Sequence, residues 1–168
     1  ASIVFPASSL LGIELNPEYA ALAKEQLGPD AEIRQGNFFD TDWEAIVDGQ
    51  NHPPLFLGNP PWVTNSGLGV LGGLNLPEKT NLKGLRGFEA LTGKSNFDIS
   101  EWMMIRLLEC LQRRGGGIAL LCKTAVARKM LQYASDRSLS FSNALIFSID
   151  ASKVFGAAVD ACFFVFEV

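Results

Sequence analysis

The order of short apolar runs and helix-like segments is the feature that most restricts the fold of this chain. Short apolar runs typical of strands alternate with longer segments whose apolar residues recur at helical spacing. This alternation predicts an α/β domain with a mainly parallel sheet and helices on both faces. The last two strands are expected to pair as an antiparallel hairpin at one edge. The predicted strands are 10–15, 32–35, 54–58, 118–122, 145–149 and 161–168, and the predicted helices are 17–27, 42–47, 99–111 and 124–133.

Local signals indicate where several of these helices begin and end. Asn16 is expected to cap the first helix, with Pro17 at its first position. Ser95-x-x-Asp98 resembles a capping box in which Asp replaces Glu, and Thr124 is expected to cap the helix after the fourth strand. The run Gly115-Gly116-Gly117 marks the end of the helix before that strand.

The composition is typical of one compact domain. Of 168 residues, 48% are hydrophobic and 19% are charged, which argues against disorder. No apolar run approaches the roughly 20 residues of a membrane helix, and the first residues have no secretory pattern. A cytoplasmic protein without membrane contact is therefore expected. Because residue 1 is not Met, the chain is expected to begin within a longer protein.

The three cysteines and the histidine argue against disulfide, zinc and His-dependent sites. Cys110, Cys122 and Cys162 lie within apolar patterns, and their odd number and wide spacing suit neither a disulfide framework nor a zinc site. Buried free thiols are expected, in agreement with a reducing compartment. His52 is the only histidine, so we expect neither a catalytic triad that needs His nor a bound metal.

The tetrapeptide Asn59-Pro60-Pro61-Trp62 carries the strongest chemical signal. It follows the apolar run 54–58, interpreted as a buried strand, and so lies at a carboxyl edge, where open α/β sheets bind ligands. The prolines fix the backbone and remove two N–H donors, which leaves the Pro60 carbonyl and the Asn59 side chain as acceptors. Trp62 adds a flat apolar surface. A planar group with an exocyclic NH₂ is the ligand that this set predicts, although a merely proline-stiffened loop is the alternative.

Polar residues also follow the two preceding strands. Glu14 ends the first strand, where a carboxylate can accept from both hydroxyls of a nucleoside ribose. Asn37 follows the second strand and can pair with an adenine edge, while Phe38 can pack on the ring. Together with Asn59 at the next strand end, these residues predict a nucleoside-containing cofactor.

These motifs resemble the adenine-N6 DNA methyltransferases of the amino-methylating class, particularly those with the γ order of motifs. Residues 59–62 match the family's (Asn/Asp)-Pro-Pro-aromatic motif, Glu14 matches its acidic residue after strand two, and Gly36-Asn37-Phe38 matches its Gly-(Asp/Asn)-hydrophobic segment. The family more often has Asp where Asn37 stands. Further similarity lies in 93–98 and 154–159, where Phe155 matches an aromatic that stacks on a flipped-out base.

The resemblance implies a Rossmann-like class I methyltransferase sheet and S-adenosylmethionine as methyl donor. It implies catalytic roles for Asn59, Pro60, Pro61 and Trp62, with Trp62 and Phe155 stacking on the base. The implied reaction is methylation of the adenine N6 amino group in DNA, as part of a restriction-modification system.

The family also has parts that the sequence lacks. Nothing before Glu14 matches the strand and Gly-rich loop that wrap the methionine portion of the cofactor, and no target-recognition domain follows the last strand. We therefore expect 1–168 to be a single truncated catalytic domain that binds the cofactor poorly alone. The missing parts are expected on the same polypeptide or on a partner subunit, including the recognition domain that would bring DNA to the site.

The segment 63–96 has no sustained period and is predicted to be a long active-site loop. Its cations, Lys79, Lys83, Arg86 and Lys94, are candidates for phosphate contacts or are simply solvated. The loop favours DNA over two other substrates of Asn-Pro-Pro-aromatic enzymes, protein glutamine and ribosomal RNA. A catalytically inactive fragment with the methyltransferase fold is the remaining alternative.

Overall fold

The computed structural model describes residues 9–62 and 98–168. They fall into two compact units that divide between Asp42 and Trp43, and each is described by itself. Within the described ranges, none of the helices has the length and apolar character of a membrane span. The elements are β1 (Leu10–Glu14), α1 (Pro17–Leu27), β2 (Ala31–Gln35), α2 (Trp43–Asp48), β3 (Leu55–Gly58), α3 (Ile99–Leu111), β4 (Gly117–Lys123), α4 (Thr124–Asp136), β5 (Asn143–Ile149), α5 (Ala151–Phe155) and β6 (Ala161–Glu167).

The first unit is a strand–helix–strand motif with parallel strands. β1 and β2 pair from Leu10↔Ala31 to Glu14↔Gln35. The predicted cap of α1 is confirmed, because the Asn16 side chain accepts from two backbone N–H groups of the first turn and Pro17 is the first helical residue. The carboxyl ends of both strands therefore lie at one edge of this small sheet.

The second unit contains a four-stranded sheet in the order β3-β4-β6-β5. β3 is parallel to β4, whereas β6 is antiparallel to both β4 and β5. The predicted antiparallel pairing of the last two strands is confirmed, with β5 at the sheet edge and β6 inserted between β5 and β4. The α/β class is confirmed as well, but the predicted mainly parallel arrangement is wrong for this sheet, because only the β3–β4 pairing is parallel and β6 pairs antiparallel with both of its neighbours.

The two faces of this sheet differ in burial. Because side chains alternate along a strand, Phe164 and Phe166 share one face and are fully buried. The opposite face carries Leu55, Leu57 and Phe147, whose exposed fractions are 47%, 51% and 52%. The prediction that 54–58 is a buried strand was therefore wrong. Among the described residues β3 pairs on one side only, with β4, so its apolar sequence does not give it the burial of a central strand.

The helices of the second unit depart from the predicted caps at two positions. The N-cap of α3 is Asp98, whose side chain accepts from the Ser100 N–H, so the capping box that begins at Ser95 was wrong. Thr124 is the first residue of α4 and not its cap, since the N-cap position is Lys123 and no side chain caps this helix. The short helix α5 was not predicted, because five residues are too few to show a helical period.

The cysteines agree with the prediction of buried thiols without disulfides, since none of the three forms a disulfide and all are buried. Cys122 and Cys162 face each other across β4 and β6 with their Sγ atoms 3.7 Å apart. Burial, together with the neighbouring Cys162 thiol, raises the pKa of Cys122 well above its ordinary value. The Cys122 thiol is accordingly protonated and unreactive in the folded chain.

Candidate active site

The second unit has a pocket at the carboxyl end of β3. It is an open cavity of about 350 Å³. The residues that line it are Asn59, Pro60, Pro61, Trp62, Phe155 and Ala157. Residues almost a hundred positions apart in the sequence thus form one site, and five of the six were predicted to be functional. Their chemical roles remain predictions.

The tetrapeptide is held in place by its neighbour β4. The β3–β4 ladder ends at Gly58↔Leu120, so Asn59 begins the segment just beyond the strand. Asn59 is exposed, whereas Pro60 is buried. Trp62 then turns back to the sheet, where its indole N–H donates to the Leu121 carbonyl at 3.3 Å. This bond fixes one edge of the indole.

Phe155 enters the pocket from α5. This helix begins after Asp150, whose side chain accepts from the Lys153 N–H, and is followed by its C-cap Gly156 in the left-handed region (φ +65°). The glycine allows the chain to reverse immediately after Phe155. The Phe155 and Trp62 rings are nearly perpendicular, with an interplanar angle of 89° and centroids 6.1 Å apart. A planar ligand parallel to one of these rings therefore meets the other ring edge-on.

Three of the four predicted cofactor residues, Glu14, Asn37 and Phe38, lie in the first unit, whereas the fourth, Asn59, lies in the second. Glu14 ends β1, and its Oε1 accepts from the Asn16 N–H at 2.8 Å. Asn37 follows β2, and its Oδ1 accepts from the Phe39 N–H at 3.1 Å. Phe38 contacts Phe39 edge-to-face at 5.5 Å. Both polar residues thus lie at the carboxyl ends of adjacent parallel strands, as their sequence positions predicted.

Local hydrogen bonds leave part of each polar side chain for a ligand. The Glu14 Oε2 atom accepts none of the hydrogen bonds assigned to the described residues, which suits ribose hydroxyl donors. The Asn37 amide oxygen is engaged, so its NH₂ group is the part that can donate to an adenine ring nitrogen. The strand ends of the first unit therefore present one hydrogen-bond acceptor, from Glu14, and one donor, from Asn37.

Ala157 lines the pocket but was not singled out from the sequence. A small apolar residue two positions after Phe155 has no chemical signature, and only the reversal at Gly156 brings it to the cavity. The predicted loop 63–96 and its four cations lie outside the described residues. Among those described, no cluster of three His, Cys, Asp or Glu side chains could hold a metal ion.

The chain is similar over most of its length to a known methyltransferase. Over 162 residues, or 94% of the chain, the sequence is 46% identical to the Type II methyltransferase M.NspV of Nostoc sp. (strain ATCC 29411 / PCC 7524). The chain is homologous to a segment of a Type II methyltransferase. It spans about a third (34%) of the length of that relative. No family model matches the chain. The 162 aligned residues necessarily include residues of both units of this chain. The predicted similarity to methyltransferases is confirmed.

Proposed function

We propose that the polypeptide carrying these 168 residues transfers a methyl group from S-adenosylmethionine to the N6 amino group of adenine in DNA, within a restriction-modification system. The observation that carries the proposal is the pocket in which Asn59, Pro60 and Trp62 face Phe155. Homology to a Type II methyltransferase supports the reaction class. The mixed α/β fold is compatible with a Rossmann-like class I methyltransferase sheet.

Asn59 and Pro60 act on the amino group. The lone pair of an aromatic NH₂ is delocalised into the ring, so this nitrogen is a weak nucleophile. The Asn59 amide oxygen and the Pro60 carbonyl accept its two hydrogens, which favours a pyramidal nitrogen and stabilises the positive charge that develops during attack. S-adenosylmethionine supplies an electrophilic methyl group on a sulfonium sulfur. Positioning of the amino nitrogen then provides most of the catalysis.

The two aromatic rings hold the base in different ways. Trp62 is tied to the Leu121 carbonyl, so its face is the fixed surface on which adenine stacks. With the rings at 89°, Phe155 meets the edge of that base. Such a pocket accepts a base only after it has left the DNA helix.

Glu14 and Asn37 bind the nucleoside portion of the methyl donor. The free carboxylate oxygen of Glu14 accepts from ribose hydroxyls, and the Asn37 amide NH₂ donates to the adenine ring. Phe38 packs on that ring. Asn in place of the more usual Asp is compatible with this role, because its oxygen is already used by the Phe39 N–H.

The proposal is tested with Asn59→Ala in the full natural polypeptide. We expect methyl transfer to fall by at least about 10²- to 10³-fold, while S-adenosylmethionine binding measured by calorimetry stays nearly unchanged. Asn51→Ala is the matched control, because Asn51 is also exposed and lies four residues before β3 begins, and it should keep full activity. Retained activity in Asn59→Ala would refute the assignment. Transfer of a labelled methyl group from S-adenosylmethionine to RNA or protein and not to DNA would refute the assignment of DNA as the substrate.

A further inference from the structure

Thr124 makes a two-point connection to the end of the segment that carries Phe155. Its backbone N–H donates to the Asp160 carbonyl at 3.0 Å, and its hydroxyl donates to the Asp160 carboxylate at 2.9 Å. Thr124 is 5% exposed, whereas Asp160 is exposed. The pair directly continues the β4–β6 ladder, which ends at Lys123↔Ala161. The hydroxyl thus adds a side-chain bond at the point where the ladder gives way to the loop.

The hydroxyl is not needed for helix capping. Thr124 is the first residue of α4, so it stands one position beyond the N-cap. Its side chain bonds a residue 36 positions away and none of the N–H groups of its own helix. A β-branched residue gives a helix little intrinsic stability. The geometry therefore assigns this side chain to the Asp160 contact.

Both walls of the pocket are attached to the same end of β4. Trp62 is bound to the Leu121 carbonyl, three residues before Thr124. Phe155 lies in the segment 150–160, which leaves β5 after Ile149 and returns to β6 at Ala161. The Ile149↔Ala161 pair closes both ends of that segment, the Lys123↔Ala161 pair holds its far end to β4, and Thr124 adds two bonds to the adjacent Asp160. The separation of the two rings consequently depends on the Trp62 bond and on the contacts of Asp160 and Ala161 with the end of β4.

We propose that Thr124 and Asp160 are positioning residues that set the spacing between Trp62 and Phe155 and so hold the aromatic wall against the base. The inference rests on the proposed function. Without the hydroxyl, Asp160 keeps only its backbone bond, and the segment that bears Phe155 is held less tightly. The edge contact with Phe155 then contributes less to the binding free energy of the base, whereas Asn59 and Pro60, which accept the amino hydrogens, are unchanged. Base binding is weakened more than the chemical step.

The experiment uses Thr124→Val in the full natural polypeptide, because Val keeps the shape and removes the hydroxyl. The probe is a duplex that contains 2-aminopurine at the adenine methylated by the wild type. We expect KM for DNA to rise about threefold to tenfold, as for the loss of one hydrogen bond, with a smaller change in kcat. Emission per bound duplex should increase, because an extruded 2-aminopurine is quenched by aromatic contact. Thr124→Ser restores the hydroxyl and should restore both values.

Two further variants separate positioning from general stability. Tyr133 lies on the same helix as Thr124 but does not line the pocket. Tyr133→Phe removes the 2.6 Å hydrogen bond from Tyr133 to Glu109 of α3 and should leave KM and emission unchanged. Asp160→Ala removes the other half of the contact and should match Thr124→Val, with no additional effect in the double variant. Asp160→Ala also tests the inference if Thr124→Val does not fold.

The inference is overturned if Thr124→Val or Asp160→Ala shows wild-type KM and emission, or if Tyr133→Phe changes both as much. It is also overturned if Thr124→Ser does not restore the wild-type KM and emission. Failure of the proposed function is recognised separately, since a wild-type polypeptide that methylates no DNA would refute it before any variant is compared.

Discussion

Replacing Phe155 by Ala removes one wall of the proposed base pocket at little cost to the fold. The ring is 46% exposed and ends a helix of five residues, so we expect the free energy of unfolding to fall by less than about 1 kcal/mol. A ring that meets a base edge-on contributes about 0.5–1.5 kcal/mol. DNA binding should therefore weaken about two- to twelvefold. The same variant should keep its affinity for S-adenosylmethionine.

Fluorescence anisotropy of a labelled duplex containing the methylated site measures this effect. Val154→Ala is the matched control, because Val154 is more exposed (61%), adjoins Phe155 and does not line the pocket. It should bind DNA like the wild type. Wild-type affinity of Phe155→Ala would refute the base contact. An equal loss in Val154→Ala would show that α5 is perturbed as a whole, and strong destabilisation of Phe155→Ala would make Phe155 a structural residue.

Three other changes have expected outcomes. Trp62→Phe keeps a stacking face but loses the donor to the Leu121 carbonyl, so steady-state kcat/KM should fall about three- to tenfold; an unchanged value would show that the bond is dispensable. The Cys122 thiol, whose pKa is raised by burial, should resist Ellman's reagent at pH 8 until guanidinium unfolds the chain, and rapid native labelling would contradict this. Gly116→Ala should lower the free energy of unfolding, measured by urea denaturation, by more than about 2 kcal/mol, because φ is +119° and the new Cβ would collide with the Pro54 carbonyl. A decrease of less than about 1 kcal/mol would refute this expectation.

The positions of the strands along the chain and the polar residues at strand ends could be predicted from the sequence. Each strand in the described ranges is a short apolar run or, in β2, an alternating one, and such patterns depend only on local spacing. Glu14, Asn37 and Asn59 were found because each is a polar residue at the end of a predicted strand or within two positions of it. The cap at Asn16 was predictable for the same reason, since its partners lie within the first turn of α1.

Features that depend on distant partners could not be predicted in this way. The exposure of Leu57 depends on which strands and helices lie beside β3, and the apolar sequence carries no record of that. Thr124 stands at the position where the sequence predicts a helix cap, but its hydroxyl bonds Asp160, which is 36 residues away. Ala157 lines the pocket only because the chain reverses at Gly156. Local signals give the elements, whereas tertiary contacts decide what their side chains do.

The central claim is that the Asn59–Trp62 pocket methylates the amino group of adenine in DNA. Its most direct test is to incubate the full natural polypeptide with duplex DNA and tritiated S-adenosylmethionine, digest the DNA to nucleosides and separate them. We predict that the label elutes as N6-methyl-2′-deoxyadenosine and is lost in Asn59→Ala. Label in a methylated cytosine, or adenine methylation that persists in Asn59→Ala, would contradict the account.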